Sequence, residues 1–281
     1  MAKVPAHPLT IRQVSVVQTL GWLVLGMRDL VKLRWISLAH GMVLSLAGGL
    51  ITLVAHDRFW LLAGALSGFL FIAPVLAASL YALSRNLENQ QPAGWNTVWD
   101  TWTQWQSSHQ DKYGNDYWCL VQFGILLGLA STGWVVTSAA LITLLSDVPI
   151  HTPVDFLRYV VAAKSGWLFE IWLALGGVMA APIFASSVIT MPLLLDRRVS
   201  LWQAVLISWG VVLKNPIPMA AWAAILLLMS LLGLGSLLLG LVLVIPLLGH
   251  ASWHAYRDLV HAEDLPSRQT GYAAPDTMAE R

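Results

Sequence analysis

Long apolar segments, separated by short polar ones, run along most of the chain. Four of them, at residues 36–55, 59–83, 117–145 and 166–195, approach or exceed the roughly 20 residues that a helix needs to cross a bilayer. A further run, residues 218–250, would be about 50 Å long as one helix, which is too long for a single crossing. Because its middle contains Gly233 and Gly235, where the chain can turn, the pattern predicts six transmembrane helices.

Each pair of apolar segments follows a segment with amphipathic or tryptophan-rich character, which predicts a helix lying in the membrane interface. Residues 89–116 carry Trp95, Trp99 and Trp102 on one helical stripe, a position that suits the headgroup region. An aromatic face that binds a ligand is the alternative for this stripe. The apolar faces predicted for the other two segments comprise Val14, Val17, Leu20, Leu23, Val24 and Met27 in the first, and Leu201, Val205, Trp209 and Val212 in the last. For the first segment, packing against the protein's own inner face is an equally good interpretation.

The predicted fold is therefore an all-α membrane protein with six transmembrane helices in three pairs, each pair preceded by an interfacial amphipathic helix. In chain order the predicted segments are an N-terminal part with an interfacial helix (1–35), helices 1 and 2 (36–88), a Trp-rich interfacial helix (89–116), helices 3 and 4 (117–198), an interfacial helix (199–215), helices 5 and 6 (216–261) and a disordered tail (262–281).

An internal repeat is indicated by two stretches that align without gaps. LFIAPVLAASLYALSRNLE, around Pro74, matches VLVIPLLGHASWHAYRDLV, around Pro246, so that Arg85 falls on Arg257. Pro182 holds the corresponding place in the middle pair. Since a proline ring blocks one helical hydrogen bond, we expect a kink in every second helix. Small residues predict close helix contacts at Gly41, Gly48 and Gly49, at Gly64 and Gly68, and at Gly124 and Gly128.

Composition agrees with the pattern, because the chain is 57% hydrophobic and only 11% charged. Soluble domains carry about 25% charged residues. The net charge of +1 indicates no nucleic-acid partner. If the N-terminus is cytoplasmic, all but three of the 16 Lys and Arg residues, namely Arg58, Arg158 and Lys164, lie on the cytoplasmic side. The positive-inside rule therefore predicts that both termini are cytoplasmic.

The candidate chemistry is concentrated at the end of the last apolar run. His250, His254 and Arg257 share one helix stripe, and His40 enters the first predicted span from the same side, so His40 and His250 could meet. Paired imidazoles can bind a divalent metal or haem iron, which makes His250 and His254 candidate ligands. In the alternative interpretation, these histidines only form hydrogen bonds with backbone carbonyls or headgroups near a kinked helix end.

Charged side chains also gather at the predicted cytoplasmic ends of the second helices. They are Arg85, Asp196, Arg197, Arg257 and Asp258. An ion-pair ring that fixes these helix ends and a site for anionic headgroups are both compatible with this placement. Candidate headgroup contacts are Trp95, Trp99, Trp102, Arg197 and Arg198.

The sequence contains no phosphate loop, no GxSxG or HExxH motif and no catalytic triad, so we expect no enzyme activity. Transport coupled to ions usually requires ionisable groups near the membrane midplane. The only acid inside an apolar run is Glu170, which lies close to the outer end of its span.

Four stretches, MPLLLDRRVSLWQAVLIS, LKNPIPMAAW, VIPLLGHASWHAYRDL and FLFIAPVLAASLYALSRNLE, resemble a family of predicted bacterial integral membrane proteins, the domain of unknown function 2189. The resemblance covers roughly residues 23–260 and is strongest in the C-terminal third. It implies a six-span inner-membrane protein. Some members are labelled as a cytochrome c oxidase subunit, so the resemblance also allows an accessory role near a respiratory complex.

Three functions remain as hypotheses. The first is a non-enzymatic inner-membrane protein without cofactors that acts through contacts with membrane lipids or with another membrane protein. The second is an accessory protein of a respiratory complex that binds haem or a divalent metal through His250, His254 and His40. The third is a small transporter or channel for an anionic or lipidic solute.

Overall fold

The computed structural model describes residues 10–54, 58–107, 118–162, 167–263 and 265–268. In this part of the chain the structure is helical apart from short strands and connections, which confirms the all-α prediction. The helices are α1 (Val16–Leu33), α2 (Trp35–Val54), α3 (Phe59–Leu76), α4 (Ala78–Glu88), α5 (Trp95–Ser107), α6 (Trp118–Leu145), α7 (Pro153–Phe156), α8 (Leu168–Ser187), α9 (Thr190–Asp196), α10 (Leu201–Lys214), α11 (Pro216–Gly235) and α12 (Leu241–Leu259); a π-helical turn, Leu157–Val161, follows α7.

Four helical segments of the described chain are long and apolar enough to cross a membrane. They are Trp35–Val54, Trp118–Leu145, Leu168–Asp196 and Pro216–Gly235. The other two predicted spans are occupied by α3 and α12. The uninterrupted apolar run of α12 ends at Gly249, and the second half of the helix carries His250, His254 and Arg257. Length and composition therefore support four spans. The predicted six spans in three pairs would also include α3 and α12, which are not among these four segments.

The predicted proline kinks differ among the three helix pairs. The helix that contains Pro74 ends at Leu76, and the chain restarts as α4 after Ala77. The helix that contains Pro182 continues to Ser187 before a short break leads into α9. By contrast, α12 runs without interruption through Pro246. The reason lies in packing, because α12 is held between α1, α2, α4 and α11.

The centre of the molecule is α12, and glycines allow its neighbours to approach closely. A Cβ atom at Gly41 of α2 would overlap the backbone of Val242, and one at Gly26 of α1 would lie 2.7 Å from the backbone nitrogen of Ala251. A second close contact joins α3 to α6, where a Cβ at Gly64 would lie 3.1 Å from the backbone of Val135. Of the other glycines predicted at helix contacts, Gly49 and Gly128 face open space.

The two ends of the described chain lie side by side. Strand β1 (Thr10–Ile11) pairs antiparallel with β2 (Val260–His261), with Thr10 opposite His261. Two residues of the predicted disordered tail, Ala262 and Arg268, are instead buried against the rest of the protein. The backbone N–H of Arg268 donates to the carbonyl of Asp196 at 2.8 Å, and Ser267 forms a bridge with Arg197. The sequence did not indicate these backbone partners; residues 269–281 lie outside the described part.

Candidate functional site

The predicted histidine stripe of α12 forms a buried hydrogen-bond network with three other helices. The side chain of His250 is completely buried, with 0% exposure. Its Nδ1 lies 2.8 Å from Oγ of Ser84 in α4, and its Nε2 lies 2.8 Å from Oγ of Ser37 in α2. Since both ring nitrogens are engaged by hydroxyl groups, His250 joins α2, α4 and α12 at one point.

Asp29 of α1 extends this network. Its carboxylate accepts a hydrogen bond from the Ser84 hydroxyl at 2.9 Å and lies 2.8 Å from Nε2 of His254. The residue is 1% exposed. A continuous chain of contacts therefore runs from Ser37 through His250, Ser84 and Asp29 to His254, and four helices contribute to it.

The donors in this chain can be assigned. An ionised carboxylate only accepts, so Ser84 gives its single hydroxyl proton to Asp29. The Ser84 oxygen must then accept from Nδ1–H of His250. A neutral His250 consequently has a bare Nε2, which accepts from the hydroxyl of Ser37.

The ionisation of Asp29 follows from its surroundings. Burial raises the pKa of this carboxyl, but hydrogen bonds from His254 and Ser84, together with the positive charges that His254 and His250 carry when they are protonated, lower it by more. The pKa of Asp29 therefore lies below its ordinary value of 3.8. The carboxylate is thus charged at neutral pH, and a charged acceptor strengthens the hydrogen bonds that it receives.

His40 does not join His250, although the sequence suggested that the two could meet. Nδ1 of His40 donates to the carbonyl of Ile36 at 2.9 Å, and its Nε2 accepts from the hydroxyl of Ser79 at 2.6 Å. Both nitrogens are therefore engaged by partners other than His250. His40 contacts α4 at Ser79, whereas His250 contacts α4 at Ser84.

Arg257 and Asp258, at the end of α12, contact separate partners. The guanidinium of Arg257 lies 2.9 Å from a carboxylate oxygen of Glu88, and the indole N–H of Trp253 donates to the other oxygen of Glu88 at 2.9 Å. Asp258 accepts from the indole N–H of Trp22 in α1 at 3.0 Å. These contacts connect the C-terminal end of α12 to α4 and α1.

The remaining predicted charges form a second group. Asp196 accepts from the hydroxyl of buried Tyr256 at 2.8 Å and from Arg197 at 2.9 Å, while Arg85 donates to the carbonyl of Leu195 at 2.7 Å. Of the five charged side chains, Asp196 and Arg197 pair with each other and Arg257 pairs with Glu88 of α4, so ion pairs do lie at these helix ends. Glu88, Tyr256 and the carbonyl of Leu195 are additional partners that the sequence did not indicate.

The candidate headgroup contacts divide into two kinds. Trp95, Trp99 and Trp102 of α5 are exposed. Arg197, in contrast, is largely covered: it contacts Asp196 and donates to the carbonyl of Leu265 at 3.0 Å. The backbone N–H of Arg198 donates to Pro266. The tryptophans therefore present exposed surface that lipid can contact, whereas a headgroup would have to compete for the guanidinium of Arg197.

Sequence reasoning missed Asp29, Ser84 and Glu88. A signal for Asp29 did exist, since it lies on one helical stripe with Trp22 and Gly26, opposite the apolar stripe of α1. An acid aligned with a large aromatic and a glycine indicates a face that packs. The two residues of α4 carried no comparable signal, because serine and glutamate near a helix end are ordinary solvent-exposed residues.

With respect to metal binding, the described residues contain no group of three or more His, Cys, Asp or Glu side chains that could hold an ion. His250 and His254 are separated in the network by Ser84 and Asp29.

Residues 61–196 match the model of a family described as "Predicted integral membrane protein (DUF2189)". This match confirms the resemblance noted in the sequence, and it ends at Asp196, so residues 197–260 of the resembling stretch lie outside it. No curated protein and no solved structure matches the chain. The family description and the apolar helices together establish a multi-pass integral membrane protein.

Proposed function

We propose that this integral membrane protein is non-enzymatic and acts through contacts with membrane lipids at the cytoplasmic face of a bacterial inner membrane. The observation that carries the proposal is that α1, α5 and α10 each present an exposed stripe of large apolar side chains. In water such stripes would be unfavourable, whereas in the interface their apolar side chains enter the acyl region.

The stripe of α1 is the most regular. Val17, Leu20, Val24, Met27 and Val31 follow one another at helical spacing, and all five are exposed, Val24 by 69%. The opposite face, which contains Trp22, Gly26 and Asp29, packs against α12. One face of α1 therefore packs inward, while the exposed face is the one that we propose enters the interface.

The stripe of α10 lies one position away from the predicted face. Trp202, Leu206, Trp209 and Leu213 are exposed, Leu206 by 68%, while Ala204, Ser208 and Val211 are buried. The helix begins with a capping box formed by Ser200 and Gln203. Together with the exposed Trp95, Trp99 and Trp102 of α5, these residues would anchor three helices in one interface.

The proposal that α1, α5 and α10 lie on one side of the membrane is supported by the pairing of β1 with β2. This pairing places the start of α1 beside the end of α12. Antiparallel strands that share hydrogen bonds must lie at the same depth. An even number of crossings between them, six in our proposal with α3 and α12 included, satisfies this requirement. The distribution of Lys and Arg supports a cytoplasmic location for that face.

Two features support a role without catalysis or cofactors. The acid and imidazole groups of the network hydrogen-bond to one another in a buried, closed arrangement, so no nucleophile in it faces a cleft. Binding of a metal to His250 or His40 would require each ring to give up a hydrogen bond that it already makes. The polar network is therefore proposed to hold the helices that carry the lipid-facing stripes.

The proposal is tested by spin labels at Val31→Cys and Lys32→Cys of α1, each in a Cys119→Ala background in lipid vesicles. Val31 belongs to the stripe, and its exposed neighbour Lys32 does not. We expect the label at position 31 to be accessible to oxygen dissolved in lipid and protected from an aqueous nickel chelate, and the label at position 32 to show the reverse. Equal access of the chelate to both labels would contradict the proposal.

A further inference from the structure

An apolar cavity of about 500 Å³ lies between α3, α8, α11 and α12. This volume is within the range of about 300–1,000 Å³ that is typical of ligand pockets. Phe71, Phe184, Met219, Leu226 and Leu248 are among the side chains that line it. The cavity lies on the side of α12 away from the Asp29–His250 network, so it forms a separate site.

The cavity is elongated along the helices. Its lining extends from Pro216 to Ser230 on α11, which at 1.5 Å per residue corresponds to about 21 Å. On α12 the lining extends from Val244 to Ser252, or about 12 Å. A long apolar space of this kind suits an extended chain better than a compact ring system.

One side of the cavity opens toward the lipid. Ala181 of α8 and Ala220 and Leu227 of α11 line the cavity and are also exposed on the outer surface. Because α8 and α11 are both apolar enough to cross a membrane, this opening faces the hydrocarbon layer. A chain could therefore enter from the bilayer without passing through water.

Two hydroxyl groups of the wall, those of Tyr81 and Ser252, already have partners within the protein. The hydroxyl of Tyr81 is hydrogen-bonded to Ser252, and the Ser252 hydroxyl donates to the carbonyl of Leu248 at 2.7 Å. Within the described chain, no residue that lines the cavity carries a charged side chain. Desolvation of an ionic ligand would be uncompensated there, whereas a hydrocarbon chain would lose no hydrogen bond.

We infer that this cavity binds a single hydrocarbon chain, supplied by the acyl chain of a membrane phospholipid or by a free fatty acid. The inference goes beyond the proposed interfacial role and does not rest on it. The stripes of α1, α5 and α10 could contact lipid with the cavity empty, and the cavity could be filled whatever the stripes do.

The test uses the full-length protein in phosphatidylcholine nanodiscs that contain either a phosphatidylcholine with a photoreactive diazirine in one acyl chain or a diazirine-bearing fatty acid. After illumination, mass spectrometry locates the adducts. We expect adducts on cavity-lining residues such as Met219, Leu226 and Leu248. Labelling by only one of the two probes identifies the source of the chain, and labelling of these residues by neither probe overturns the inference.

Matched variants on α11 make the test specific. Ala223 lines the cavity, whereas its exposed neighbour Ala224 does not. Ala223→Phe should fill the space and abolish labelling of the lining residues, while Ala224→Phe should retain it. Ala220→Phe, at the exposed opening, gives the same readout if Ala223→Phe fails to fold. Undiminished labelling in the folded filling variants would overturn the inference, and the spin-label result for α1 is independent of either outcome.

Discussion

Nε2 of His254 in α12 lies 2.8 Å from a carboxylate oxygen of Asp29 in α1, although 225 residues separate them along the chain. The contact joins the helix proposed to lie in the interface to the central helix of the molecule.

Replacement of Asp29 should destabilise the protein. Asp29→Ala leaves the hydroxyl of Ser84 and the imidazole of His254 without their acceptor, at a cost of about 1–3 kcal/mol for each group. Asp29→Asn keeps an acceptor oxygen, so we expect a smaller loss. Thermal unfolding in detergent measures the effect, with Asp100→Ala on the exposed face of α5 as the control. Equal melting temperatures for Asp29→Ala and Asp100→Ala would contradict the role of the network.

The contribution of Asp29 should depend on pH in a definite direction. Because the pKa of Asp29 is lowered by folding, its stabilisation is fully present above the unfolded value near 3.8 and is lost as the pH falls through the lower folded value. The difference in melting temperature between the wild type and Asp29→Asn should therefore be large near pH 5 and shrink below about pH 4. A difference that grows on acidification would show that the sign is wrong.

Gly41 should tolerate no side chain. A Cβ at this position overlaps the backbone of Val242, so Gly41→Ala must push α2 away from α12. We expect a loss of about 1–3 kcal/mol, the usual cost of overpacking. Gly49 also lies in α2, but a Cβ at this position would face open space, so Gly49→Ala should be close to neutral. Thermal unfolding of both variants under the same conditions measures the difference in their stability. Equal stability of the two variants would contradict the close approach of α2 to α12.

The pairing of the chain ends can be tested by cross-linking. Thr10 and His261 are directly opposite in the antiparallel pair, and such positions lie within the Cα separation that a disulfide requires. In a Cys119→Ala background, Thr10→Cys with His261→Cys should therefore oxidise to an intramolecular disulfide, seen as a change in gel mobility. Gln13→Cys with His261→Cys serves as the control and should react much more slowly. Similar rates for the two pairs would argue against this register.

The orientation of the chain can be tested with reporter fusions. With both termini in the cytoplasm, green fluorescent protein fused at either end should fluoresce, and alkaline phosphatase fused at either end should stay inactive. Opposite results at the two ends would contradict the even number of crossings and the shared face of α1, α5 and α10.

The sequence by itself determined the membrane class and much of the helix pattern. A long apolar segment is stable as a helix in lipid because its backbone must satisfy its own hydrogen bonds, so apolar runs such as residues 117–145 predict α6 (Trp118–Leu145) closely. The turn between the last two helices was also readable, since α11 ends at Gly235. These features depend only on neighbouring residues and on the solvent around them.

Only the tertiary structure decided which polar groups meet. His250 and His40 were recognised as unusual, yet their partners are Ser84, Ser37 and Ser79, and the acid that completes the network is Asp29. Hydrogen bonds act over about 3 Å, so a partner is fixed by the rotation and depth of each helix. Those are set by packing of complete surfaces, such as the approach of α2 to α12 at Gly41, and no local pattern in the chain contains that information.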